Sequence, residues 1–140
     1  MKQSKPRHQN AATCFKCLEI LTTAHPDLQK LADDVRAANP EAHVAWAVRG
    51  KADQEDAKRR GTSRASFGES PHNYVPSLAI DFFRITPNGV AEWNKAWFTE
   101  HIAPFARRHG FEWGGDFLRF QDAPHVQIKN WKAQAKKLAK

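Results

Sequence analysis

Between Leu78 and Phe83 the chain reads Leu-Ala-Ile-Asp-Phe-Phe, an apolar run that carries one carboxylate. Its branched and aromatic residues, closed by the turn signal Thr86-Pro87-Asn88-Gly89, predict a strand over 78–85. An ionised Asp81 in such a strand must be paired or ligated, because burying a lone carboxylate is too unfavourable. A metal ion is one partner that serves. His72 lies nine positions ahead of it, and His125 follows later with Asp122 three positions before it. Two neutral imidazoles and one carboxylate fill three positions of a tetrahedral zinc site and leave the fourth to water. Asp122 is then available as a general base.

A chain of 140 residues is expected to form one domain, 1–140, around one core, with residues 1–10 flexible. Its 22 basic residues against 15 acidic ones give a net charge of +7, which points to a polyanionic neighbour: nucleic acid, a membrane surface or a bacterial wall polymer. The basic start, Met1 to His8, is followed by no apolar run, and no later stretch is long enough to span a bilayer. The reading is therefore a cytoplasmic protein without signal peptide or membrane anchor. Two cysteines, Cys14 and Cys17, are too few for a disulfide framework. A lone C-x-x-C is compatible with half a zinc ribbon or a redox pair. With no second C-x-x-C, they read as small buried residues.

Taken in order, Ala11 to Ala24 predicts an amphipathic helix with Phe15, Leu18 and Leu21 or Ile20 on its apolar side. His25-Pro26-Asp27 starts a second helix with Leu28, Leu31 and Val35 inward, ended by Asn39-Pro40. Ala42 to Val48 alternates as a strand, and Lys51 to Arg60 reads as a solvated helix closed by Gly61. Gly61 to Pro76 is a long loop, of a length that is often functional. Ala91 to His109 predicts a helix kinked at Pro104, its aromatic stripe packing in the core rather than stacking on sugar. Phe111 to Phe120 suggests strand, turn, strand. His125 to Ile128 is another strand, and Trp131 to Lys140 a basic helix. The expected class is α+β, a small, mainly antiparallel sheet flanked by helices. His8, His25, His43, His101 and His109 read as surface or capping residues.

Several separated motifs run in one order: Arg49 with Gln54, Ser70-Pro71-His72, Ala79-Ile80-Asp81, Trp113-Gly114-Gly115 and Asp122-Ala123-Pro124-His125. In this the chain resembles the zinc peptidases that group D-Ala-D-Ala carboxypeptidases and dipeptidases with phage L-alanyl-D-glutamate endopeptidases, over residues 49–128. The resemblance implies His72, Asp81 and His125 as zinc ligands, Asp122 as general base and Arg49 as the cation facing a developing oxyanion. It implies that Ser70 and Gln54 position substrate or the loop. The chain departs from the pattern in two ways. His72 and Asp81 stand further apart than in many members, with Asn73 to Ser77 resembling a longer loop of the endopeptidase-like branch. The base is Asp122 where dipeptidases carry Glu, and the shorter arm suits the endolysin branch.

The implied activity is cleavage of peptidoglycan stem peptides by a Zn2+-dependent, monomeric, endolysin-like enzyme, first at the L-alanyl-D-glutamate bond. Such an enzyme would stay in the host cytoplasm until released to the wall. The alternatives are a D-Ala-D-Ala-type carboxypeptidase and a non-catalytic module gripping wall or nucleic acid through its charge. Nucleic acid is the less expected partner, because Asp122 and Arg49 are both present.

Overall fold

The strand expected around Asp81 is the middle of the fold. In the computed structural model, which describes residues 11–140, β2 (Ala79–Ile85) pairs antiparallel with β1 (Ala42–Trp46) on one side and with β5 (His125–Gln127) on the other. β4 (Glu112–Trp113) extends the sheet beyond β5, and β3 (Ala91–Glu92) pairs with the far end of β2. The order β1-β2-β5-β4 is antiparallel throughout, and helices flank it, as the α+β reading requires. Period-2 alternation divides the two faces of β2. Ile80 and Phe82, opposite Val126 and Val44, are fully buried in the core, whereas Asp81 sits opposite His125 and Trp46 on the other side. The expectations for residues 1–10, including His8, lie outside the described residues.

The core is closed by α2 (Pro26–Ala38), which begins as the sequence indicates. His25 Nδ1 accepts the Asp27 backbone N–H at 3.1 Å, Pro26 takes the first helical position, and Leu28, Leu31 and Val35 are fully buried. α3 (Lys51–Arg60) is solvated and closed by Gly61 at φ +81°, a conformation that favours glycine. Gln54 is its one buried residue.

Elsewhere the structure corrects the expectation. The helix expected over 91–109 is β3 followed by α4 (Lys95–His101) and α5 (Ala103–Arg108). Pro104 cannot continue a helix through its ring and missing N–H, but it fits the first turn of a new one, so the chain restarts just before it. Trp93 consequently leaves the core stripe and stacks on Phe83 at the surface, with centroids 5.4 Å apart. Of Phe111 to Phe120 only Glu112–Trp113 pairs as strand; a 3-10 turn follows at Gly114–Asp116, and Leu118 is fully in water. α6 (Trp131–Ala135) stops short of the C-terminus.

The first helix is also shorter than expected, α1 (Phe15–Leu21) after a 3-10 turn. It lies along edge strand β1 and buries Cys17 and Leu21, leaving Phe15 at 81% and Leu18 at 44% exposure. His43 and Val44 point to opposite faces of β1 yet are both buried, because Cys17 of α1 and the Phe83 ring lie against His43. His43 is therefore not the surface histidine that strict alternation implied. His101 and His109, by contrast, make partly exposed contacts with Asn39 and Asp34, and His25 is a cap.

Candidate metal centre

His72, Asp81 and His125 converge from three parts of the chain. His72 belongs to a 3-10 turn, Pro71–Asn73, held in a capping box by Ser70 and Asn73, while Asp81 and His125 face each other across β2 and β5. His72 Nε2 lies 3.2 Å from Asp81 Oδ1 and 3.3 Å from His125 Nδ1, and His125 Nδ1 lies 3.0 Å from the same Asp81 oxygen. With metal–ligand bonds of about 2.0–2.2 Å, a tetrahedral zinc site separates its donors by roughly 3.3 Å. The three residues are almost wholly buried.

The far side of each ring decides what the near side can do. His72 Nδ1 is 2.7 Å from the Ala47 carbonyl, which can only accept, so the proton sits on Nδ1 and Nε2 presents a lone pair. His125 Nε2 is 2.7 Å from Gln127 Oε1, and the Gln127 amide donates onward to Glu112 at 2.8 Å. That leaves His125 Nδ1 as the second lone pair. Two ring nitrogens and a carboxylate oxygen, all at contact distance, could hold a cation among them, and this donor set suits zinc. Ala47, Gln127 and Glu112 were not legible as site residues. Against the pull of burial, His72 and His125 hold the Asp81 carboxyl well below the usual range, while Asp81 and Asp122 raise His125.

Asp122 stands beside this group. Its Oδ2 is 3.9 Å from His125 Nδ1, and its side chain is 40% exposed to the cleft. Burial and the charge of Asp81 push its carboxyl up. The Trp-Gly-Gly motif explains how it is held. Asp122 N–H donates to the Gly114 carbonyl at 3.0 Å, and Trp113 Nε1 donates to the Ala123 carbonyl at 2.7 Å. A Cβ on Gly114 would stand 2.1 Å from the Asp122 carbonyl oxygen, and one on Gly115 would stand 2.2 Å from the Trp113 ring. Neither approach leaves room for a side chain.

Arg49 is buried rather than paired with a surface acid. Its Nη2 reaches Asp81 Oδ2 at 3.4 Å and its Nη1 donates to Gln54 Oε1 at 3.1 Å. Gln54 also accepts from Asn73 and donates to Ser63 Oγ and the Ala65 carbonyl, so its oxygen and both amide protons are engaged within the protein. That network, centred on the buried Gln54, ties α3 to the loop bearing His72 and engages every polar side-chain atom of Gln54. Ser70 Oγ accepts the His72 N–H at 3.2 Å. The donors open into a cleft of about 720 Å³ that also takes in Trp46, Arg64, Trp93, Phe117 and Phe120.

Residues 63–128, a span that begins after Arg49 and includes His72, Asp81, Asp122 and His125, match a protein-family model described as D-alanyl-D-alanine carboxypeptidase. The chain is 27% identical over 142 aligned positions to the peptidoglycan L-alanyl-D-glutamate endopeptidase CwlK of Bacillus subtilis (strain 168), covering 87% of this chain and 84% of that protein. It is similar to the crystal structure of the Serratia marcescens L-Ala D-Glu endopeptidase ChiX, with a TM-score of 0.68 and 26% identity. That match covers 86% of this chain and 92% of the other.

Proposed function

The chain belongs to the zinc peptidase family that joins D-alanyl-D-alanine carboxypeptidases with L-alanyl-D-glutamate endopeptidases, and on that premise we propose that it cuts the L-alanyl-D-glutamate bond of peptidoglycan stem peptides. It is a metallopeptidase, and the observation that carries the reading is the convergence of His72 Nε2, Asp81 Oδ1 and His125 Nδ1 beside Asp122 in an open cleft. The ion assigned to those three residues is Zn2+, which when bound lends Lewis acidity to the scissile carbonyl and acidifies a water.

The protein's own groups do the rest. Asp122, whose carboxyl is pushed up by burial and by Asp81, accepts a proton from the attacking water and returns it to the departing amine. Arg49 presents the planar fork of a guanidinium toward the oxygen on which negative charge grows. Gln54 holds Arg49, and Ser70 holds the His72 turn, so both act through the residues they orient. The Ala47 carbonyl and the Gln127–Glu112 pair keep each imidazole in the tautomer that ligation needs.

The setting we assign is bacteriophage lysis: a monomeric endolysin held in the host cytoplasm until released onto an anionic wall that its +7 charge favours. No helix among the described residues is long and apolar enough to cross a membrane. The family model's own description favours a second reading, removal of a terminal D-alanine. Mass analysis of fragments from purified peptidoglycan separates the two. Peptides that begin with D-glutamate support the proposal, and loss of D-alanine alone overturns it.

A further inference from the structure

A second set of metal-binding side chains lies at the β1 edge of the sheet. One atom each of Cys14, Cys17 and His43 lie within 4.8 Å of one another, and the three residues are 7%, 1% and 2% exposed. Cys14 immediately precedes α1 and Cys17 lies in its first turn, so the C-x-x-C spacing brings both sulfurs to one side of the chain. β1 delivers His43 to the same point, with Cys17 Sγ 3.4 Å from His43 Nδ1. For bonds of about 2.3 Å to sulfur and 2.0–2.1 Å to nitrogen, the sulfur–nitrogen edge of a tetrahedral zinc site is roughly 3.5 Å.

Backbone N–H groups meet both sulfurs, against a burial that pushes the Cys17 thiol up to about 12 and that a bound cation would have to offset. The Cys17 N–H donates to Cys14 Sγ at 3.2 Å and the Val44 N–H donates to Cys17 Sγ at 3.3 Å. Hydrogen bonds to sulfur favour the thiolate, and the thiolate is the form that binds metal. Zn2+ with two thiolates and a neutral imidazole has no net charge, which lets it sit in a core.

The fold also gives such a clip something to do. α1 has seven residues, too few to be stable alone, and it buries only Cys17 and Leu21 while Phe15 and Leu18 stand in water. Cys17 and His43 are 26 positions apart, so a shared ion would fasten α1 to the sheet edge across the whole of α2. We propose that Cys14, Cys17 and His43 bind a structural zinc ion, distinct from the one at His72, Asp81 and His125. Sulfur and nitrogen donors exclude calcium and magnesium; the three donors leave one tetrahedral position to a further ligand, and the structural role rests on their enclosure by the core. This proposal stands or falls independently of the peptidase reading.

The test uses the whole chain, reduced, stripped of metal and titrated with Co2+. The expected result is thiolate-to-cobalt charge-transfer absorption in the near ultraviolet, reversed by added Zn2+. The His72 group has no sulfur and cannot produce that signal. The absorption should persist in Asp81→Ala and vanish in Cys14→Ser and Cys17→Ser. Zinc should raise the melting temperature of Asp81→Ala but not of the variant that combines it with Cys17→Ser. No such absorption in the saturated, reduced wild-type protein overturns the proposal, and needs no variant to fold. An undiminished signal in both cysteine variants also overturns it. Recovery of a Cys14–Cys17 disulfide, with no cobalt signal after its reduction, overturns it in favour of a redox pair.

Discussion

His72, Asp81 and His125 on one side, and Cys14, Cys17 and His43 on the other, are two three-donor clusters served by the same pair of strands. Asp81 and His43 lie on β2 and β1, which are hydrogen-bonded to each other. The first opens into a cleft and has a half-exposed carboxylate, Asp122, next to it. The second is walled in by the core. Donor geometry alone thus makes a binding place. Access for water and a neighbouring base make a place for chemistry. The means of support differ as well. Side chains and a carbonyl orient the two ligand rings of the open cluster, whereas backbone N–H groups support the sulfurs of the closed one.

The largest effect should come from breaking the open cluster. Asp81→Ala removes the donor shared by both histidines, so hydrolysis of a soluble stem peptide should fall to background and elemental analysis should lose the metal of that site. Chelation of the wild-type protein should do the same to activity, and added Zn2+ should restore it. Next, Asp122→Asn keeps shape and metal but removes the base. Its rate should fall by roughly 10²–10⁴-fold with zinc content unchanged, and a normal rate would remove Asp122 from the chemistry. Gln127→Ala frees one His125 nitrogen from its partner and should weaken metal affinity about 10–100-fold, measured by competition with a chelator.

Smaller effects test the surroundings. Exposed charges are screened beyond about 8 Å near 0.15 M salt. Added salt should therefore slow lysis of whole wall while sparing a soluble stem peptide, and equal loss on both would place the charge in the site. The smallest change belongs to α1. Phe15→Ser, at a position 81% exposed, should alter stability by no more than about 0.5 kcal/mol in thermal unfolding. A much larger loss would mean that Phe15, and not the cysteine cluster, holds the helix.

Two of the residues that the structure brings together are conspicuous where they stand, Asp81 in an apolar strand and His125 three places after a carboxylate, whereas Arg49 was singled out only through the family resemblance. Asp81 even indicated the strand at the centre of the sheet. Gln127, Glu112 and the Ala47 carbonyl were not readable, since a polar side chain on a short strand looks the same whether it faces water or an imidazole. His43 was misread because alternation assumes an uncovered outer face, and here α1 brings Cys17 against it. The α4–α5 division was half visible in Pro104. That the chain before it pairs with β2 depends on Arg84 and Ile85, distant in sequence, as partners.

An anomalous-difference map at the zinc edge, from crystals of protein that hydrolyses stem peptide, tests the central claim most directly. The account predicts a peak about 2.0–2.2 Å from His72 Nε2, Asp81 Oδ1 and His125 Nδ1. Active crystals with no metal between those three atoms would contradict it.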